Sequence, residues 1–572
     1  MHDLVIRGGT LVDGTGSAPK TGDLAIDGAR IAQVGGKAGA ARREIDASGL
    51  VVAPGWVDVH THYDGQVTWD PYLTPSSWHG VTTVVMGNCG VGFAPADPSR
   101  HQWLIGLMEG VEDIPGTALA EGIDWAWESF PEYLSALERM PRAIDVAAQV
   151  PHGAVRAYVM GERGAKNEAA TSDDVARMAA IVREGLAAGA LGFSTSRTLL
   201  HRAIDGEPVP GTFAGEEELL GIGRALGQVG HGVFEMASDL APEGDEFRWM
   251  EKLTQLTGRP VTFACLQFDL DPTQWQRLLR ATEEGNARGA RIVPQVAARP
   301  TGLLLGLEST FHPFLFHPSY AAIASLPHAE RVRRLRDPAL RARILAESPS
   351  TEIPLIHYIA ASFHKLFPLG DPPDYEPGPE KSVAAIAKRE GRTPQEVAYD
   401  LLLSRDGREL LYFPLLGYSE GNFDALRTML LHPQAVLGLS DGGAHCGIIC
   451  DASMPSYLLT HWVRDRKRGE RIPLERAIAL QTRNTAALFG LDDRGTLAPG
   501  LRADVNLIDL ERLQIAPPEV VYDLPANGRR MVQRVSGYRM TLQNGQPIYE
   551  NGEPTGALPG KLLRGPQAAP RA

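Results

Sequence analysis

The stretch Val51-Val-Ala-Pro-Gly-Trp-Val-Asp-Val-His-Thr-His62 decides how the chain is read. Pro54-Gly55 is turn chemistry, and the apolar run after it, Trp56 to Val59, has the length of a buried strand. The run ends in His60-Thr-His62. Residues two apart on a strand share a face, so both imidazoles can aim at one metal ion. Taken alone, the pair more often reads as two half-exposed strand histidines. Its setting favours ligands, because short strands precede it and strand-and-helix units follow.

Eight apolar runs of strand length alternate with helical patterns from here on, the signature of parallel β/α units. They begin at Trp56, Thr82, Asp145, Leu191, Gly232, Pro260, Arg291 and Ala435. Helices are plain at Ser172 to Leu186, with Ser172 expected as the cap, and at Glu216 to Leu226. Eight units predict an α/β fold, a (β/α)8 TIM-like barrel with its chemistry at the C-terminal ends of the strands. The segment 301–434, between the seventh and eighth strands, is too long for a plain connection. A helical lid or a subunit-contact insertion is expected there.

The first fifty residues alternate apolar and polar positions in bursts closed by Gly or Asp-Gly. The same grammar returns at Ala503 to Leu510, Met540 to Leu542 and Gln546 to Gly552. Both ends are therefore expected to share one small β-sandwich, which gives three domain segments: 1–52, the barrel at 53–490, and 491–572. The tail after Leu563 has the composition of a flexible or loosely attached strand.

The 572 residues are 43% hydrophobic and 22% charged, the balance of a soluble protein with a large core. A net charge of −13 with no long basic run argues against nucleic acid as a partner. Cys89, Cys265, Cys446 and Cys450 are too scattered for a disulfide framework and point to a reducing compartment. The N-terminus lacks the pattern of a signal peptide, and no apolar run reaches the roughly 18 residues of a membrane span. A cytoplasmic protein with no membrane partner is expected, and a homo-oligomer stays open.

Val51 to His62 resembles the entry motif of the amidohydrolase superfamily of metal-dependent hydrolases. Further segments narrow the resemblance: Gly80-Val-Thr-Thr-Val-Val-Met-Gly-Asn-Cys-Gly90, Val159-Met-Gly161, Gly189-Ala-Leu-Gly-Phe-Ser-Thr195, Gly438-Leu-Ser-Asp-Gly442 and Gly495-Thr-Leu-Ala-Pro-Gly-Leu-Arg-Ala-Asp504. Together they are similar to the D-aminoacylase branch, the N-acyl-D-amino-acid deacylases, from about residue 3 to about 564. The resemblance implies that His60 and His62 are metal ligands and that Cys89 is a thiolate ligand. It makes Asp441 the aspartate that binds metal or takes the proton from the attacking water. The plain alternatives are an inert buried thiol for Cys89 and a helix cap for Asp441.

Two positions depart from the branch. Its fifth and sixth strands each end in a zinc-binding histidine, where this chain has Ala237 and Cys265. Cys265 could still ligate as a thiolate, and Glu235 or Asp239 could supply a carboxylate. Otherwise the metal sits on His60, His62 and Asp441, with or without Cys89. Zinc is the expected cofactor, as one ion or two, with manganese and iron also open to that donor set.

The basic residue that helps the family hold a substrate carboxylate is here Gln267. Arg197 and Arg299, in loops expected to face the pocket, could bind a carboxylate bidentately or pair with a structural acid. His152 could touch substrate or oxyanion, and His445, four residues past Asp441, could support the metal or bind it. His201, His312 and His317 are weighed as satisfied histidines, and Lys166 as solvated. The aromatic segment Phe311 to Tyr320 suits either an acyl-pocket wall or a lid contact.

The expected function is metal-dependent hydrolysis of a small N-acyl compound, an N-acyl-D-amino acid first. A cyclic amide, carbamate or ester is the alternative substrate, and a non-catalytic binding barrel is the rival of another class.

Overall fold

The computed structural model describes residues 1–241 and 243–570. Eight strands stand where the sequence puts them: Trp56–Asp58 (β1), Val81–Met86 (β2), Asp145–Pro151 (β3), Gly192–Arg197 (β4), Val233–Ser238 (β5), Val261–Ala264 (β6), Ile292–Val296 (β7) and Val436–Leu437 (β8). They pair side by side in strict chain order, all parallel. The ring closes just past β1 and β8. Thr61 bridges Gly442 in parallel, the His62 N–H donates to the Gly442 carbonyl at 2.8 Å, and the Asp441 N–H donates to the His60 carbonyl at 3.1 Å. The (β/α)8 barrel read from the alternation of runs is the fold observed.

Helices cover the outside of the barrel. Ser172–Ala188 starts one residue earlier in its capping than expected: Thr171 is the cap, accepting from the Asp174 N–H while the Asp174 carboxylate reaches back. Ser172 is the first helical residue instead. Glu216–Val229 carries Glu216, Glu217 and Glu218 in its first turn, where the helix dipole favours acids.

Strands from both chain ends make one nine-stranded sheet. Its stitch is the antiparallel pair of Val51–Pro54 with Val505–Ile508, in register from Val51 with Ile508 to Pro54 with Val505. Leu4, Ile6, Leu24, Ile26, Val52, Val505, Leu507 and Leu542 fill its core. The chain then passes through Gly55 straight into β1. A Cβ on Gly55 would fall 2.2 Å from Thr82 Oγ1, so this close approach admits only glycine.

Two expectations need correction. The tail is not loose: Pro559 and Leu562 bridge Arg142 and Val146 beside β3, and Gln567 bridges Leu491. Leu563 is buried. Residues 571 and 572 lie outside the described residues. The insertion is not a purely helical lid, for Thr301–Leu305, Phe367–Pro368 and Leu411–Leu416 form a three-stranded sheet. Around it, Leu305, Phe314, Tyr320, Val332, Tyr399 and Phe413 build a core separate from that of the barrel. Phe311 and Phe314 belong to this core, which gives the aromatic segment its packing role. Among the described residues no helix is long and apolar enough to cross a membrane.

Candidate metal centre

The candidate site lies at the seam between β1 and β8. His60 and His62 leave the end of β1 and are almost wholly buried. Cys89 follows β2 in the turn Gly87-Asn-Cys-Gly90, with its backbone at a positive φ of 54°. The Asn88 amide fastens that turn, donating to the carbonyls of Thr61 at 3.0 Å and Val85 at 2.9 Å. The result is a compact donor group: His60 Nε2 lies 3.2 Å from Cys89 Sγ. One donor atom each from His60, His62 and Cys89 falls within 4.8 Å of the others. Asp441 closes the group, its Oδ1 lying 3.5 Å from His60 Nε2 and 3.7 Å from His62 Nε2.

A neighbour sets the tautomer of His60. His60 Nδ1 donates to Gln295 Oε1 at 3.0 Å, which leaves the Nε2 lone pair facing Cys89. His62 Nδ1 lies 3.2 Å from Glu112 Oε1, leaving its Nε2 toward Asp441. Two imidazole nitrogens, a sulfur and a carboxylate oxygen are the donor types that zinc takes, and all four meet at this seam. Glu112 Oε2 and Glu235 Oε1 are buried there without hydrogen-bond partners. The residues present fit a divalent cation.

The charges inside are strongly coupled. Burial pushes the His60 pKa down to about 4, against the pull of Asp441, and favours the neutral imidazole that a metal needs. For His62 burial also works downward, but Glu112 and Asp441 outweigh it and carry the pKa up to about 9. Burial works to raise Asp441, but the neighbouring imidazoles of His62, His60 and His445 outweigh it and hold the carboxyl well below the usual carboxylate range. Burial raises Glu235 to about 8. Burial and the neighbouring carboxylates raise the Cys89 thiol well above its ordinary value.

His445 joins the cluster, its Nε2 lying 3.7 Å from Glu112 Oε2 and 4.0 Å from Asp441 Oδ2. His201 is half-buried nearby. Its pKa falls to about 3 by burial and by the charges of His445 and His62, while Ser196 Oγ holds its Nδ1 at 3.0 Å. Of the two carboxylates offered by the fifth strand, Glu235 reaches the site and accepts from the Cys89 N–H at 2.8 Å. Asp239 instead ties down the loop after β4, accepting from Thr198 Oγ1 at 2.5 Å and the Leu199 N–H at 3.0 Å.

Other expected residues stand elsewhere. Cys265 is buried with its Sγ 3.9 Å from Met429 Sδ, so it packs against the helix Asp424–Leu430 and is not one of the grouped donors. Arg197 is held by both oxygens of Glu246, at 2.9 and 3.2 Å, and donates to the Ala214 carbonyl at 2.6 Å. Arg299 is buried against Asp451 at 2.9 Å and lies 4.0 Å over the Tyr375 ring. Neither guanidinium is free for a substrate carboxylate. His152 bonds Thr195 Oγ1 at 2.8 Å and Glu218 Oε1 at 3.0 Å, which satisfies both ring nitrogens. Gln267 is neutral and engaged, accepting from the Ser419 N–H at 3.2 Å.

Glu112 and Gln295 escaped the reading of the sequence. Glu112 ends the helix His101–Glu112 (α1), whose last turn carries no basic residue. An acid where the dipole disfavours one is a signal, because such a residue needs a partner from elsewhere in the fold.

A family model described as the amidohydrolase family matches residues 43–549 of the chain. D-aminoacylase of Alcaligenes xylosoxydans xylosoxydans is 28% identical over 564 residues, covering 98% of this chain and 97% of its own. N-acyl-D-glutamate deacylase of the same organism is 27% identical over 573 residues, covering 98% and 96%. Among solved structures, a crystal structure of D-aminoacylase superposes with a TM-score of 0.65 at 24% identity, over 99% of this chain and 100% of that one. The N-acyl-D-glutamate deacylase from Bordetella bronchiseptica, complexed with zinc and a phosphonate inhibitor, gives 0.64 at 23% identity, over 98% and 99%.

Proposed function

The chain belongs to the amidohydrolase family, on its D-aminoacylase branch, and from that premise we propose that it hydrolyses the amide bond of a small N-acyl compound, first an N-acyl-D-amino acid. The observation that carries the reading is the sharing of Asp441 Oδ1 between His60 Nε2 and His62 Nε2, with Cys89 Sγ beside them. These four residues would hold the ion, zinc by preference because of the sulfur. A divalent cation bound there lowers the pKa of water toward neutrality and polarises the scissile carbonyl.

The chain's own groups do the rest. Asp441 is ionised at neutral pH and can accept the proton of the attacking water at a carboxylate oxygen, then return it to the leaving nitrogen. Gln295 fixes the ring of His60 from behind so that it presents Nε2 to the site, and Glu112 Oε1 lies 3.2 Å behind His62 Nδ1. Burial of the cluster keeps bulk water from competing for these contacts.

The names of the curated relatives support an N-acyl-D-amino acid as substrate. One feature supports a second substrate class, a cyclic amide, carbamate or ester: Arg197 and Arg299 are engaged and Gln267 is neutral, so none of the expected positions offers a free cation. Assays of N-acetyl-D- and L-amino acids beside hydantoins and simple esters decide between them. Release of a free D-amino acid as the fastest reaction supports the first reading. Turnover confined to uncharged cyclic amides or esters removes it.

A further inference from the structure

The loop after β4 brings to the site a histidine that the reaction above leaves unused. This loop doubles back as a short hairpin: Arg202 bridges Pro208 in antiparallel, and the Val209 N–H donates to the His201 carbonyl at 3.2 Å. The hairpin lies hard on α1. The Ile204 N–H donates to the Gly106 carbonyl at 3.0 Å, and a Cβ on Gly110 would fall 2.4 Å from the Ile204 backbone nitrogen, an approach that requires glycine. The same helix ends in Glu112, behind His62.

The second support of His201 comes from the end of β4. Ser196 packs on the turn that carries Cys89, for a Cβ on Gly90 would fall 2.8 Å from the Ser196 backbone nitrogen. Ser196 Oγ lies 3.0 Å from His201 Nδ1. The hydroxyl is wholly buried and has no other hydrogen-bond partner among the described residues. Its hydrogen therefore points at Nδ1, because a buried O–H is not left without an acceptor. That bond puts the ring proton on Nε2. Among the described residues Nε2 has no hydrogen-bond partner, and the charged groups around the ring are those of the site, His445, His62, Asp441 and His60. Burial and these charges hold the ring neutral at working pH.

We infer that His201 is a catalytic residue whose Nε2–H donates a hydrogen bond to the oxygen of the scissile carbonyl and to the oxyanion that forms there when water adds. The inference rests on the hydrolytic reading above. No proton leaves His201: the proton of the water passes to Asp441 and on to the leaving nitrogen, as already assigned. A neutral imidazole suits the task, because it stabilises the developing negative charge without repelling a divalent cation nearby.

The test takes two readouts from full-length, zinc-loaded protein. In chains labelled with nitrogen-15 at histidine, the His201 signal, identified by its loss in His201→Gln, should show the Nε2–H tautomer in the native protein and lose that fixed state in Ser196→Ala. With the substrate that the native chain turns over fastest, His201→Ala should lower kcat by about 10²-fold to 10³-fold while zinc content holds and KM moves by less than about threefold. His201→Gln, whose amide N–H can donate instead, should recover about tenfold of the loss. An Nδ1–H tautomer in the native protein, or native kcat in His201→Ala, overturns the inference and leaves the hydrolytic reading standing. Zinc lost together with activity in His201→Ala, or no recovery in His201→Gln, assigns a structural role and overturns it as well. A native chain inactive toward every N-acyl compound, cyclic amide and ester overturns both.

Discussion

The backbone N–H of Asp441 donates to the carbonyl oxygen of His60 across 3.1 Å. One hydrogen bond thereby joins the last barrel strand to the first and sets the carboxylate of Asp441 beside the imidazole of His60. Closing the barrel and assembling the site are the same event. The backbone is strained to do it: Leu439 and Asp441 both hold positive φ, 59° and 48°, a conformation that costs of order 1–3 kcal/mol per residue and clusters at functional sites.

If Asp441 moves the proton, Asp441→Asn keeps shape and loses the acceptor. Steady-state kinetics should show kcat lowered by about 10²-fold to 10⁴-fold. An unchanged kcat moves the base elsewhere, with His445 the next suspect.

Cys265 packs on Met429 away from the donors, so Cys265→Ser should keep its metal. Cys265→His should not restore a ligand; it should overpack the site and lower stability by about 1–3 kcal/mol in urea unfolding. A serine variant that folds and loses its ion contradicts this placement.

The barrel was legible because each strand is a local apolar run and each helix a local period. The Cys89 turn and Asp441 stood out through the family resemblance that their motifs carry. What stayed hidden depends on partners far away in sequence. Thr301–Leu305 pairs with Leu411–Leu416 across the whole insertion, and no local pattern announces such a sheet. Whether Arg299 was free or paired stayed open until the fold brought Asp451 against it. Glu112 reads as an ordinary helix acid until α1 is docked on the loop after β8.

Arg299→Leu should act on stability and not on substrate binding. It strands the buried Asp451 carboxylate, a loss of about 3–5 kcal/mol, visible as a lowered melting temperature with KM nearly unchanged. A raised KM with unaltered stability would return Arg299 to the pocket.

Glu218 accepts from His152 and Arg156. Burial works against it, but these partners hold its folded pKa at about 2, below the ordinary 4.5. Because the folded pKa is depressed, the stabilisation is full above the unfolded value and drains away as pH falls from about 5 to 2, roughly 3 kcal/mol in all. Denaturation midpoints across that range should fall more steeply for the native chain than for Glu218→Gln. Parallel curves would show that Glu218 contributes nothing to acid lability.

The central claim is that hydrolysis depends on an ion held by His60 and His62. It is tested most directly by stripping the protein with a chelator, adding back zinc, and following release of D-amino acid from an N-acetyl-D-amino acid. The native chain should lose activity on stripping and regain it with zinc, while His60→Ala and His62→Ala, folded by circular dichroism, should bind no ion at that site and stay inactive. Full activity in the stripped native chain, or in either histidine variant, would contradict the account.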